Sequence, residues 1–306
     1  MTTSGFVFRG STAVVTGAAS GLGRAFAQRA GELGMRVMLA DINADALRET
    51  KTALRDVGVE VDCCVADVSH ADQVGDLADQ TFARFGVPQL VFNNAGVIGG
   101  GLIWETPDTE WKRVMGVNLG GVIAGVRAFV PAMIEVGRRQ KGWRGHVVNV
   151  ASMAGLVTPP NMGVYNVSKH AVVALTETLY HDLKLVDAPI GTSVLCPYFI
   201  PTQIAQSHRH RPDELRTDEI MTASQMAAQA LTEKAVGSGK VSAAQVAQLT
   251  FDAIRAERFY VFSHPQALGT VAEHADALVH GRQPPDPYAA TPHLRDILKV
   301  GLKGRR

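Results

Sequence analysis

The chain has 306 residues, 46% of them hydrophobic, with 30 Lys and Arg against 29 Asp and Glu. That length suits one core with additions, and a net charge of +1 with the basic residues scattered among acids gives no electrostatic case for nucleic acid. No uninterrupted apolar run of about 18 residues would span a bilayer, the first residues lack a leader pattern, and Cys63, Cys64 and Cys196 lack metal-ligand spacing, so a cytoplasmic protein with reduced thiols, no membrane and no metal is expected.

In chain order, Ala13-Val14-Val15 reads as a strand over 12–16 and Leu22 to Leu33 as an amphipathic helix, joined by Thr16-Gly17-Ala18-Ala19-Ser20-Gly21-Leu22-Gly23. Glycines let the backbone turn sharply and approach a pyrophosphate, while the unpaired N–H groups of a helix start favour an anion. The spacing is Gly-x-x-x-Gly-x-Gly, not the Gly-x-Gly-x-x-Gly of other dinucleotide sites. A second apolar run, Val37-Met38-Leu39-Ala40, ends at Asp41 about 20 residues after the turn, where an acid suits the hydroxyls of an adenosine ribose. Further strands are expected near 59–65, 89–93, 145–150, 190–196 and 259–262. Ser69 marks the start of a helix over Ala71–Phe85. Thr106-Pro107 marks another over Asp108–Val136, which Pro131 should bend near its end. Such alternation implies an α/β fold, a doubly wound parallel sheet of about seven strands with helices on both faces. Gly17, Asp41, Asp67, Asn93, Ser152 and Pro197 each end or follow a strand, so they converge on the edge where such sheets bind ligands.

Tyr165 and Lys169 stand four apart in Val164-Tyr165-Asn166-Val167-Ser168-Lys169, a spacing that puts a phenol and an ammonium on one helical face. A free phenol, with a pKa of about 10, is a poor base at neutral pH, and a nearby cation favours its phenolate. Alone, such a pair is common surface decoration. Here it accompanies Asp67-Val68, Asn93-Asn94-Ala95-Gly96, Asn118 in Val117-Asn118-Leu119, and Ser152 in Asn149-Val150-Ala151-Ser152, thirteen residues before Tyr165. With these motifs in this order the chain resembles a classical short-chain dehydrogenase/reductase over residues 8 to 262.

The resemblance implies a single Rossmann-type, NAD-binding catalytic domain over 1–262. In it Tyr165 is the general acid/base and Ser152 hydrogen-bonds the substrate oxygen. Lys169 lowers the tyrosine pKa and binds the nicotinamide ribose, and Asn118 kinks its helix and holds a water linking Lys169 to solvent. It further implies Gly17, Ser20, Leu22 and Gly23 around the pyrophosphate, Asp41 and Ile42 at the adenosine ribose, Asp67 and Val68 at the adenine, and Asn93, Ala95 and Gly96 along the adenosine side of the cleft. Pro197-Tyr198-Phe199-Ile200-Pro201-Thr202 matches the family's Pro-Gly-x-Ile/Val-x-Thr, whose Ile200 and Thr202 positions touch the carboxamide, although Tyr198 replaces the glycine. The implied reaction is NAD-dependent interconversion of a secondary alcohol and a ketone, apolar, alicyclic or aromatic. A 3-oxoacyl-thioester reductase and a non-catalytic NADH-binding regulator are the alternatives. The implied partners are that small molecule and further copies of the chain, as a homodimer or homotetramer through helices near 108–136 and 164–186.

Residues 203–240 fall where this family varies its substrate lid. Ile220, Met221, Met226, Ala227, Ala230 and Leu231 suggest an apolar stripe, with Met221 and Met226 as substrate contacts beside Tyr198 and Gly237-Ser238-Gly239 as a hinge; a core-packing helix is the equal alternative. His208-Arg209-His210-Arg211 reads as a solvated basic patch, with contact to an acidic substrate as the alternative, and no histidine pair has ligand spacing. The C-terminal extension, 263–306, is expected to hold a helix over Val271–Val279, a break at Gln283-Pro284-Pro285-Asp286-Pro287 and a basic end from Lys299 to Arg306. It reads as a solvated terminus or as a strap over a neighbouring subunit.

Overall fold

Alternate residues of a strand leave on opposite faces, and in this chain both sets are apolar, so the strands demand cover on both sides. A computed structural model describes residues 5–210, 221–289 and 291–303. Seven strands, β1 (Thr12–Thr16), β2 (Arg36–Asp41), β3 (Val61–Val65), β4 (Leu90–Asn93), β5 (Gly145–Val150), β6 (Ile190–Cys196) and β7 (Tyr260–Phe262), form one parallel sheet in the order β3-β2-β1-β4-β5-β6-β7. Ala13, Val15, Val37, Leu39, Leu90 and Phe92 face the layer of α1 (Gly21–Glu32), α2 (Ala44–Asp56) and α8 (Ala243–Arg255). Val14, Met38 and Val91 face the layer of α3 (Ala71–Phe85), α5 (Gly121–Arg139) and α6 (Gly163–Leu185). The first layer is anchored by three rings. Phe92 is fully buried, stacked on Phe26 at 4.6 Å and 5.5 Å from Phe251.

The seven expected strands are all present, and the helix starts differ in detail. His70, not Ser69, precedes α3; the Ser69 hydroxyl instead donates to Asp67. α4 (Asp108–Met115) follows Pro107, but it does not run straight into α5: Gly116–Gly120 forms a π-helical turn containing Asn118. An irregularity therefore lies at this turn, and α5 continues through Pro131 to Arg139. The combined helical stretch Asp108–Arg139 is long and apolar enough to cross a membrane by length and composition, although Arg127 interrupts its apolar run, as expected from the sequence; its Phe129 and Met133 are fully buried in the second core layer.

α7 (Ala223–Gly237) is capped by a reciprocal pair, Thr222 with Gln225, and is followed by the C-terminal elements α9 (Leu268–Val279) and α10 (Pro292–Lys303). The basic residues Lys299 and Lys303 thus belong to a helix, and α10 packs on α7. Gly237 ends α7, Ser238 caps it, and Gly239 lies against Phe199 and Pro201, which is close packing where a hinge was expected. Arg211 and Ile220 lie outside the described residues, as do the side chains of His208, Arg209 and His210.

Truncating a fully buried phenylalanine costs about 3–5 kcal/mol, because transfer and cavity terms add. Phe92→Ala should lower the unfolding free energy by about that amount in urea titrations. A loss under about 1 kcal/mol would show that the Phe26–Phe92–Phe251 layer is not an anchor.

Candidate active site

The sheet order reverses between β1 and β4, so the loops that leave them diverge and open a crevice at their carboxyl ends. A cavity of about 510 Å³ occupies it. At its floor, Gly17 has φ +67°, a left-handed conformation that side chains disfavour. Gly23, in the first turn of α1, packs so closely that an added Cβ would lie 2.0 Å from the Gly17 carbonyl oxygen. α1 has no side-chain cap at Ser20, and Ser20, Leu22 and Gly23 line the cavity beside its uncapped start. These residues suit a pyrophosphate, which needs close backbone approach and free N–H donors.

Residues with no role assigned from the sequence, Thr16 and Asn94, hold the turn. The Thr16 hydroxyl accepts from the backbone N–H groups of Asn94 (3.0 Å) and Ala95 (3.1 Å), and the Asn94 carboxamide donates to the carbonyls of Thr16 (2.8 Å) and Gly17 (3.3 Å). Asp41 is oriented at the end of β2 by two backbone donors, Ala19 N–H at 3.0 Å and Asn43 N–H at 2.9 Å. Asp67 accepts from the Ser69 backbone and hydroxyl. Asp41, Ile42, Asp67, Val68, Ala95 and Gly96 all line the cavity. Asn93 does not. Its side chain is buried under the sheet edge, donates to Asn149 at 2.9 Å, and lies where a Cβ on Gly125 would touch its oxygen.

At the other end Ser152, Tyr165, Lys169, Pro197, Tyr198, Ile200 and Thr202 line the same cavity. Tyr165 and Lys169 sit one turn apart on α6, both buried. The Lys169 ammonium donates to the Val150 carbonyl at 2.9 Å and lies 5.8 Å from the centroid of the Tyr165 ring. Ser152 caps the short helical turn Met153–Gly155, accepting from Ala154 N–H at 3.1 Å. Asn118 is wholly buried behind the cavity wall: it accepts from Val97 N–H (2.8 Å) and donates to the Val97 carbonyl (2.9 Å) and the Ser168 hydroxyl (3.0 Å). Ser168 in turn donates to the Tyr165 carbonyl at 2.8 Å. Asn118 therefore positions the loop after β4 against α6. Met221 and Met226 line neither this cavity nor the one beside it; they are 43% and 40% exposed, and the inward face of α7 belongs to Ala228, Leu231, Thr232 and Ala235.

Burial raises the Tyr165 phenol above its ordinary value, opposed by a hydrogen bond from Ser152. Burial also lowers Lys169, to about 8. Desolvation of the phenol, and not the lysine that the spacing suggests, sets the direction of its shift.

Residues 11–213 match the protein family described as short chain dehydrogenase. A solved structure of a short chain dehydrogenase/reductase from Burkholderia phymatum, in complex with NAD, is 49% identical, covers 92% of this chain and 99% of its own, and superposes with a TM-score of 0.89. A "CLA biosynthesis dehydrogenase/reductase" of Lactiplantibacillus plantarum is 33% identical over 85% of this chain and 90% of its own length. A 1-deoxy-11-beta-hydroxypentalenate dehydrogenase of Streptomyces avermitilis is 36% identical over 84% and 86%.

The lowered Lys169 pKa has a definite sign in stability. Between about 8 and the ordinary lysine value the folded chain has released a proton that the unfolded chain still binds, so stability rises with pH across that window. Lys169→Met should remove this rise. Melting temperatures of both proteins from pH 7 to about 10.4, the lysine reference value, test it; parallel curves would contradict a buried, proton-releasing Lys169.

Proposed function

The chain belongs to the short-chain dehydrogenase family of oxidoreductases, and from that membership we propose an NAD-dependent enzyme that interconverts a secondary alcohol and a ketone, apolar and alicyclic or aromatic. One observation carries the proposal: Asp41 and the Ser152–Tyr165–Lys169 group line a single cleft. The cleft's dimensions and chemistry fit a dinucleotide, with its adenosine ribose at Asp41 and Ile42, adenine by Asp67 and Val68, pyrophosphate at Gly17 to Gly23, and carboxamide near Ile200 and Thr202. Bound NAD supplies the acceptor for the hydride leaving the carbinol carbon.

The chain's own residues do the rest. Ser152 hydrogen-bonds the substrate oxygen and stabilises charge that develops on it. Tyr165 takes the hydroxyl proton during oxidation and returns one during reduction. The Lys169 ammonium, held by Val150, favours the phenolate and offers donors to a ribose. Asn118 keeps the loop over Lys169 in place through Val97 and Ser168. A non-catalytic NADH-binding regulator would have no use for this proton-handling set, which favours turnover. The exposed Ile123 and Val167 on α5 and α6 suit the proposed self-association through these helices, and three free cysteines suit a cytoplasmic location.

Asp41 can accept hydrogen bonds from two ribose hydroxyls but repels a 2′-phosphate, and Ile42 beside it supplies no cation. Asp41→Ala should therefore narrow the preference for NAD over NADP in kcat/KM; equal use of both by the wild type would contradict the assignment. Tyr165→Phe keeps the ring and removes the transferable proton. Turnover should fall by roughly 10²–10⁴-fold with NADH affinity nearly unchanged, and retention of more than about a tenth of the wild-type rate would sink the acid–base role.

A further inference from the structure

A second cavity, of about 350 Å³, adjoins the cleft. The two share Met153, Val157, Pro159, Met162, Tyr198 and Phe199, so they are separated only by a common wall that includes the Ser152 turn and the strand-end loop. The far side of this second cavity is built outside the sheet. Leu231 and Ala235 come from α7, while Tyr288, Leu294 and the buried Leu298 come from the C-terminal extension. The interior is chiefly hydrocarbon, and the charged Lys234 and Glu273 are exposed at its edge. Tyr198 stands at the junction: its N–H donates to Ser263 Oγ at 3.0 Å, its ring meets Phe199 edge-on at 4.6 Å, and it lines both cavities.

Resting on the alcohol–ketone activity proposed above, we infer that the second cavity receives the remote end of an elongated apolar substrate whose carbinol lies at Ser152 and Tyr165. In the cleft the residues assigned to the dinucleotide run from Asp41 to Thr202 and leave the Ser152–Tyr165 end for the carbinol. A longer hydrocarbon leaving the carbinol meets the Met153–Met162 wall and Tyr198, and beyond them, among the described residues, lies the apolar pocket closed by α7 and α10. Burial of each methylene there raises affinity by roughly fourfold. The C-terminal extension is then a wall of the substrate site, and Tyr198, in place of a glycine, is the side chain that the substrate passes.

The test fills the second cavity without touching the cleft. Ala235→Phe and Thr291→Phe each place a ring in it from a different element. kcat/KM with NAD is measured for isopropanol, sec-octanol and a secondary tetradecanol, with melting temperatures in parallel; binding of the matching long-chain ketone to the NADH-loaded protein is measured by calorimetry. Wild-type kcat/KM should rise along the series, and each variant should lose about tenfold or more for the tetradecanol while isopropanol and the melting temperature stay unchanged. Equal losses along the series, or no dependence on chain length in the wild type, would overturn the inference and leave the activity intact. Were no alcohol turned over, ketone binding weakened in both variants would sustain the inference and remove the activity, whereas equal ketone binding in all three proteins would overturn it.

Discussion

Thr16 and Asn94 hold the mouth of the sheet in shape. One hydroxyl at the end of β1 accepts two backbone N–H groups from the loop after β4, and one carboxamide returns two bonds to the carbonyls of Thr16 and Gly17. Buried amide and carbonyl groups left unpaired are costly, so this exchange fixes the two diverging loops against each other at the point where the strand order reverses. The tight glycine turn follows, because Ala95 and the Asn94 carboxamide stand where a Cβ on Gly17 would have to go. So does the cleft, since the start of α1 is held back from β4 with its N–H groups open on one side.

The opposite end of the cleft uses the same economy of partners. Lys169 is buried and donates to the Val150 carbonyl, and among the described residues no carboxylate pairs with it, an arrangement that desolvates an ammonium. A helix under stability demands alone would place such a lysine in water. Asn118 and Ser168 spend their hydrogen bonds on Val97 and the Tyr165 carbonyl, and the π-helical turn is what carries Asn118 into that position. A cation and a phenol whose protonation is displaced by burial line one cleft, and on the function proposed above they are the pair that handles the substrate proton.

Most of the sheet was legible because continuous apolar runs such as Val37–Ala40 are short and bounded by turn signals, as strands covered on both faces are, and the site motifs were legible because each lies at a strand end or within one helical turn. The remainder depends on distance in sequence. Nothing local marks Thr16 and Asn94 as partners 78 residues apart, and nothing in Asn93 distinguishes it from Asn94, although one turns under the sheet and the other into the cleft wall. Met221 and Met226 suited an apolar stripe by spacing, but the phase of α7 is set by what it packs on, and Ala228 and Leu231 took the inner face. The role of the C-terminal extension was likewise invisible, because a helix beginning at Pro292 reveals nothing about the α7 surface it covers.

Whether a single dinucleotide spans the cleft from Asp41 to Tyr165 is decided by a crystal structure of the chain grown with NADH. Adenosine ribose hydroxyls are expected on the Asp41 carboxylate, pyrophosphate against Gly17 to Gly23, and the nicotinamide facing Ser152 and Tyr165 with room for a substrate carbon at about 3–3.5 Å from its reacting atom. A nucleotide bound in the reverse direction, or outside this cleft, would contradict this placement.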